Sequence, residues 1–269
     1  MIEQYRGLAI RPISSVALPQ YIELFKAAFP TYKTSVEYLD WLYFLNPNGN
    51  AVGFDAYDGD LIIAHYVCIP IKINSYEKPS LLALNTATHP KYQGRGLLKV
   101  LANNTYEKYS NDFSCVVGVA NAKAIKALTK HLNFEHLGNL ELRLGRLDSS
   151  LIGRRIYTDR EIAWRASCPE KILNTNFSYG RFIKFTRWIY GIFPISALCP
   201  RVNENFEDKN AGKTVGGFAF TLDWRRDQKP KIFLPKRFKP SPLSFVFRAL
   251  SETDSSRLVA WTFPDFDAL

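Results

Sequence analysis

The chain is poor in the residues on which metal and redox chemistry depend. Its 269 residues include four cysteines, four histidines and one methionine. Cys68, Cys115, Cys168 and Cys199 lie far apart, with no Cys-x-x-Cys pair and no histidine at zinc-ligand spacing. That excludes a sequence-encoded zinc site, and three of the four, set among apolar neighbours, read as reduced core thiols. Long apolar runs are also missing. The longest, Trp188 to Leu198, contains Pro194 and falls far short of the ~20 residues that span a bilayer. The opening MIEQYRGLAIRPI has no long apolar core and no small-residue cleavage site, so it does not read as a secretory signal. No low-complexity tract, internal repeat, Ser-His-Asp or Cys-His arrangement stands out. The expectation from these absences is a cytoplasmic globular protein that works without metal and without a covalent enzyme intermediate.

What is abundant is positive charge and aromatic side chains. The formal net charge is +10, and aromatics make up 14% of the chain. A basic surface favours anionic partners: nucleic acid, a membrane face or a polyanionic small molecule. A shell of solvated lysines gives the same number. The basic turn Lys236-Arg237-Phe238-Lys239, set between two prolines, is read as solvated surface rather than as a nucleic-acid contact.

The most informative stretch is LLALNTATHPKYQGRGLL, Leu81 to Leu98. Leu81 to Thr88 reads as a strand, stopped by Pro90 and followed by the turn Gln93-Gly94-Arg95-Gly96. Leu97, Leu98, Leu101 and Ala102 then open a helical pattern. Strand, glycine turn and helix start gather unpaired backbone N–H groups at one point, with the positive end of a helix dipole behind them. Such a point binds phosphate. Gly94 and Gly96 allow positive φ and close approach, while Lys91, Arg95 and Lys99 add charge. A plain glycine turn between a core strand and a surface helix has the same spacing.

This stretch resembles the acyl-CoA pyrophosphate loop of the GNAT acyltransferase superfamily, whose pattern is Gln/Arg-x-x-Gly-x-Gly/Ala. Gln93, Arg95 and Gly96 fit, and Pro90 stands where that family usually has a proline; Leu98 departs from the final Gly or Ala. Asn121-Ala122-Lys123-Ala124 through His131-Leu132-Asn133-Phe134 resembles the family's Asn-containing helix. Asn133 replaces its closing glycine, and Asn is the next-best residue for a left-handed helix end. The resemblance spans roughly residues 8–147. It implies an acyl-CoA co-substrate, acetyl or longer, with Gln93, Gly94, Arg95, Gly96, Leu97 and Leu98 around the pyrophosphate. Thr86, Ala87 and Thr88 would pair with the pantetheine arm as an added strand does, with Asn121 beside it. Many members carry a tyrosine that protonates the departing thiolate. Thr129 stands there, a far weaker acid, so Asn121 and Tyr66 take the catalytic expectation instead.

The rest of the chain supplies a frame. A strand candidate at Leu8–Ile13 precedes a helix over Ser15–Phe29. Thr34-x-x-Glu37 is a capping box for a second helix, ended by Asn46-Pro47-Asn48-Gly49. Val52–Tyr57 and Leu61–Ile73 pair across Asp58-Gly59-Asp60, which puts His65 and Tyr66 on opposite faces. Phe113–Val119 is the next strand, and Ala122–Leu132 the next helix. Asp148-Ser149-Ser150 is a polar break, and Thr158-x-x-Glu161 caps a later helix. Phe182–Ile189, Val215–Trp224, Ser244–Leu250 and Leu258–Phe263 complete the pattern, the first two and the last as strands.

The fold class read from all this is α+β, of the GNAT kind: a mixed, twisted central sheet flanked by helices, with a smaller C-terminal α+β extension. Residues 1–147 are expected to be the acyltransferase core and 148–269 an extension on the acceptor side. Extended bacterial members of surface-polysaccharide pathways resemble this layout. The function it implies is direct acyl transfer to a primary amine, preferably a nucleotide-linked amino sugar. Tyr43, Asn46, His65, Asn85, Trp164 and Arg165 are the acceptor-side candidates, and Asp267 near the end of the chain is the candidate base, alongside Asp265 and the terminal carboxylate. Other amines (aminoglycoside, polyamine, peptide) stay open. So does a non-catalytic scaffold of the same shape that docks on nucleic acid or membrane through its basic surface.

Overall fold

The computed structural model describes residues 7–146, 154–170, 174–179, 182–189, 193–202, 218–226 and 243–266. Seven strands form a first sheet in the order β1 (Leu8–Pro12), β2 (Val52–Asp58), β3 (Leu61–Ile71), β4 (Ser80–Thr88), β5 (Cys115–Ala120), β13 (Ser244–Ala249) and β6 (Glu135–Asn139). Only β4 and β5 run parallel; the other neighbours are antiparallel. Helices cover both faces, which is why β3, Leu61-Ile-Ile-Ala-His-Tyr-Val-Cys-Ile-Pro-Ile, is buried at every position after its first. On one face lie α1 (Leu18–Ala28) and α2 (Val36–Phe44), packed through Tyr21, Leu24, Phe25, Leu39 and Leu42. On the other lies α3 (Leu97–Tyr109), packed through Leu97, Leu101, Ala102 and Tyr106. The expected cap at Thr34 moves one place: Ser35 is the N-cap, its hydroxyl accepting the Tyr38 N–H at 3.1 Å. α4 (Ala124–His131) follows β5 and has no fully buried residue.

A second sheet runs β14 (Ala260–Thr262), β12 (Phe218–Arg225), β11 (Phe193–Val202), β10 (Phe182–Ile189) and β9 (Asn174–Tyr179). Off that path, β7 (Glu141–Arg146) pairs with β12 and β8 (Tyr157–Thr158) with β11. The last stretch differs from expectation. Leu258–Phe263 is not one strand; β14 is short, and a 3-10 turn takes over at Phe263–Phe266, where Pro264 has no N–H to give a ladder. The basic turn at Lys236–Lys239 lies outside the described residues.

The two halves of the chain exchange strands. From the later half, β13 enters the first sheet between β5 and β6; from the earlier half, β7 joins the second. They are also joined by side chains. Trp164, on α5 (Asp159–Ala166), stacks on Trp41 of α2 at 4.2 Å, and each indole N–H donates to the other's backbone carbonyl, at 2.9 and 3.0 Å. Beneath α5 a buried polar cluster gathers Arg154, Arg155, Glu161 and Asp265. Among the described residues no helix is long and apolar enough to cross a membrane.

Candidate active site

The parallel pairing of β4 with β5 is brief. It runs from Leu81↔Val116 to Ala83↔Gly118 and stops, so the end of β4 has no strand partner on that side among the described residues. At the same point β4 bulges. Val67 pairs with Leu84 and His65 with Ala87, so Asn85 and Thr86 together face Tyr66 alone. Asn85 takes φ +46°, a conformation that short polar side chains tolerate and most others resist. The strands therefore open toward the C-terminal end of β4, as a wedge lined by Asn85, Thr86, Ala87 and Thr88.

The wedge leads directly to the glycine turn. Gly94 and Gly96 have φ +77° and +74°, and Gly96 is the N-cap of α3. L side chains are strained at both, so the local chain path demands glycine. The backbone N–H groups of Gly94, Gly96, Leu97 and Leu98 have no acceptor among the described residues. A ring of open donors at the start of a 13-residue helix fits a pyrophosphate. Gln93 folds back, its Nε2 donating to the Thr88 carbonyl at 3.1 Å, which ties the turn to the end of β4. Arg95 stacks on Tyr92 at 4.8 Å and stays exposed. The observed geometry suits an acyl-CoA laid with its diphosphate on the turn and its thioester arm in the wedge.

On the α1–α2 side of the wedge lies a pocket of ≈ 370 Å³, lined by Phe25, Phe29, Thr31, Tyr32, Asn85 and Thr86. Phe29 and Tyr32 are exposed, so the aromatic side of the pocket is open to solvent. Behind the pocket runs a buried chain of polar contacts. The Asn85 Nδ2 donates to the Tyr43 hydroxyl at 2.9 Å, and that hydroxyl lies 3.5 Å from His65 Nε2. His65 Nδ1 meets Asp55 Oδ1 at 2.6 Å, and Tyr21 donates to Asp55 Oδ2 at 2.7 Å. His65, Asp55, Tyr43 and Tyr21 are each fully buried. Burial pushes the Tyr43 phenol well above its usual range, with the Asn85 amide pulling the other way, so Tyr43 keeps its proton and is no general base.

Five of the expected site residues sit elsewhere. Tyr66 faces α3, on the side of the sheet away from His65, with its hydroxyl against that of Tyr106 at 2.5 Å. Fully buried in an apolar layer, it has no path to a reacting thiolate. Asn46 donates to the Pro70 carbonyl at 3.1 Å and accepts the Asn48 N–H at 2.9 Å. Pro70 lies four positions along β3 from Tyr66, opposite the start of the wedge, a strand distance of roughly 13 Å, so Asn46 closes a loop away from the pocket. Trp164 is used in the stack on Trp41. Arg165 is buried over the Tyr157 ring at 4.9 Å, with Nη2 donating to the Pro264 carbonyl at 3.1 Å. Neither side chain faces the pocket. Asp265 is likewise enclosed, accepting from Thr262 N at 2.7 Å and from the Tyr157 hydroxyl at 3.0 Å. Asp267 lies outside the described residues.

Asn121 caps α4: its Oδ1 accepts the N–H groups of Lys123 and Ala124 at 3.0 and 2.9 Å. Thr129 donates its hydroxyl to the Ile125 carbonyl at 2.9 Å, a back-bond that occupies its only proton. Thr129→Val is therefore expected to lower turnover by less than about tenfold. A loss of several hundredfold in a variant of unchanged melting temperature would give Thr129 the acid role after all.

The pocket wall and Asp55 escaped the sequence reading. A signal for Asp55 was present: a lone aspartate inside the apolar strand Val52-Gly-Phe-Asp-Ala-Tyr is costly unless partnered, and antiparallel pairing sets it opposite His65.

Residues 9–125 match a family model described as an acetyltransferase (GNAT) domain. No curated protein matches the chain. Among solved structures, an aminoglycoside acetyltransferase from an uncultured soil metagenomic sample is 27% identical over 46% of this chain and 84% of its own, with a TM-score of 0.39. The ribosomal-protein-S18-alanine N-acetyltransferase of Escherichia coli is 16% identical over 53% of this chain and 85% of its own, with a TM-score of 0.41. A GCN5-related N-acetyltransferase from Kribbella flavida is 12% identical over 73% of this chain and 58% of its own, with a TM-score of 0.49.

Proposed function

We propose that this chain, an acyl-CoA-dependent N-acyltransferase whose residues 9–125 match a GNAT domain, acylates the primary amine of an amino sugar. The observation that carries the acceptor class is the make-up of the pocket: three aromatic rings, two threonines and Asn85, without a carboxylate. A sugar ring lays its C–H face on aromatic walls and its hydroxyls against Thr and Asn. A polycation such as a polyamine or an aminoglycoside needs anionic walls, which the lining residues do not supply. The nucleotide part of a nucleotide-linked acceptor has lost Trp164 and Arg165 as its seats, so the sugar itself is the unit the pocket reads.

In this reading the free amine attacks the thioester carbonyl carbon, the C–S bond breaks as the tetrahedral intermediate collapses, and the thiolate leaves and takes a proton from water. The open edge of β4 supplies backbone N–H donors for the oxyanion, with Thr86, Ala87 and Thr88 holding the arm. The amine's proton passes to Asp267 or to water. Removing residues 267–269 is expected to cut turnover by about a hundredfold while acetyl-CoA binding persists; full activity after truncation would leave water as the base.

The deciding experiment offers acetyl-CoA with glucosamine, a uridine-diphosphate amino sugar, kanamycin or spermidine. Acetylation of the sugars well ahead of spermidine and kanamycin is the expected result, and the reverse order would overturn the acceptor class. Acetyl-CoA at 100 times its dissociation constant should also stabilise the fold by about 2.7 kcal/mol.

A further inference from the structure

Asn85 is held from two sides. Its backbone is fixed in the bulge at φ +46°, and its side chain is tied to the buried chain behind the pocket. We propose that Asp55, His65 and Tyr43 are positioning residues that lock the Asn85 carboxamide with Oδ1 toward the pocket, where it accepts a hydrogen bond from the substrate amine. The identity of that donor rests on the acyl-transfer reading above; the locking of the carboxamide does not.

The direction of the chain follows from its buried end. Asp55, as a carboxylate, only accepts, and it takes the Tyr21 O–H on Oδ2 and the His65 Nδ1–H on Oδ1. In the neutral imidazole, the lone pair of His65 Nε2 then needs a donor, and the hydroxyl of Tyr43 is the group that faces it, at 3.5 Å, the longest link. With its hydrogen turned to His65, Tyr43 offers lone pairs, which receive the Asn85 Nδ2 at 2.9 Å. Every hydrogen points inward toward the buried carboxylate. The outer end of the chain is thus an acceptor, and Asn85 Oδ1 makes no hydrogen bond among the described residues.

The chemistry suits an amine nucleophile. An amine that donates one N–H to Oδ1 keeps its lone pair free to aim at the thioester, which is orientation of the kind that lowers the barrier. A carboxylate in this place would stabilise the ammonium ion, which has no lone pair to attack with. A neutral amide orients the amine without that penalty.

Two measurements test this. Nitrogen NMR of His65 in the wild-type protein should show the proton on Nδ1 and none on Nε2, and Tyr43→Phe should speed hydrogen exchange of the Asn85 side-chain amide at least tenfold. In kinetics with glucosamine and acetyl-CoA, Asn85→Gly, which suits the positive φ, and Tyr43→Phe should each lower kcat/KM for the amine about tenfold. The acetyl-CoA dissociation constant should stay within about twofold in both variants. Because Tyr43 acts through Asn85, the double variant should be no worse than Asn85→Gly alone. A proton on His65 Nε2 would make that nitrogen a donor to Tyr43, reverse the outer part of the chain and overturn the proposal, as would unchanged amide exchange or additive kinetic losses. Should Tyr43→Phe not fold, the His65 tautomer and the Asn85→Gly kinetics still decide. Failure of the acyl-transfer reading shows differently: the wild-type protein would acetylate no amine while the NMR results stand.

Discussion

In Gly96→Val the affinity for acetyl-CoA is expected to fall at least tenfold, equivalent to ~1.4 kcal/mol, with a fold that still melts cooperatively. Two effects add. Gly96 caps α3 at φ +74°, where a β-branched side chain is strained, so the turn must shift and the open N–H groups of Gly94, Leu97 and Leu98 lose their common focus. The added isopropyl group also crowds the space that a diphosphate must approach. Arg95→Ala should cost less, because Arg95 is exposed and the backbone donors remain. Calorimetry on both variants separates them. An unchanged dissociation constant in folded Gly96→Val would remove the turn from the site.

Trp164→Ala is expected to cost about 3–5 kcal/mol of stability, the usual range for a buried Trp, and about 6–20 °C in melting temperature at this chain size. The indole is buried at 7% exposure, stacked on Trp41, and donates its N–H to the Trp41 backbone carbonyl, so truncation opens a cavity and strands that carbonyl. Below the new transition, KM for the amine should change by less than about twofold. The opposite pattern, an unchanged melting temperature with a raised KM, would return Trp164 to the acceptor site and revive a nucleotide seat there.

The sequence determined the parts that local backbone chemistry controls. Gln93-Gly94-Arg95-Gly96 had to be a turn, because two glycines flank a helix start behind Pro90, and the structure gives both glycines positive φ. Period-two alternation set His65 and Tyr66 on opposite faces, and the packing agrees, His65 against Tyr21 and Tyr66 against Tyr106. What did not carry over was the inference from the chain neighbours Trp164 and Arg165 to a shared ligand. Trp164 and Arg165 looked like a base-and-phosphate pair, but their partners are Trp41, from far upstream, and the Tyr157 and Phe185 rings that strand pairing brings beneath α5. The return of β13 to the first sheet was equally illegible, since an apolar hexapeptide fits either sheet and only the vacancy between β5 and β6 selects one. Asn85 shows the division most plainly. The sequence places a polar residue in an apolar strand, but the bulge that turns it to φ +46° depends on register with β3, and its tie to Tyr43 depends on how α2 lies across the sheet. Local conformational preference is written residue by residue, whereas the partners of a buried polar group are chosen by packing between segments distant in the chain, and those only the tertiary structure decides.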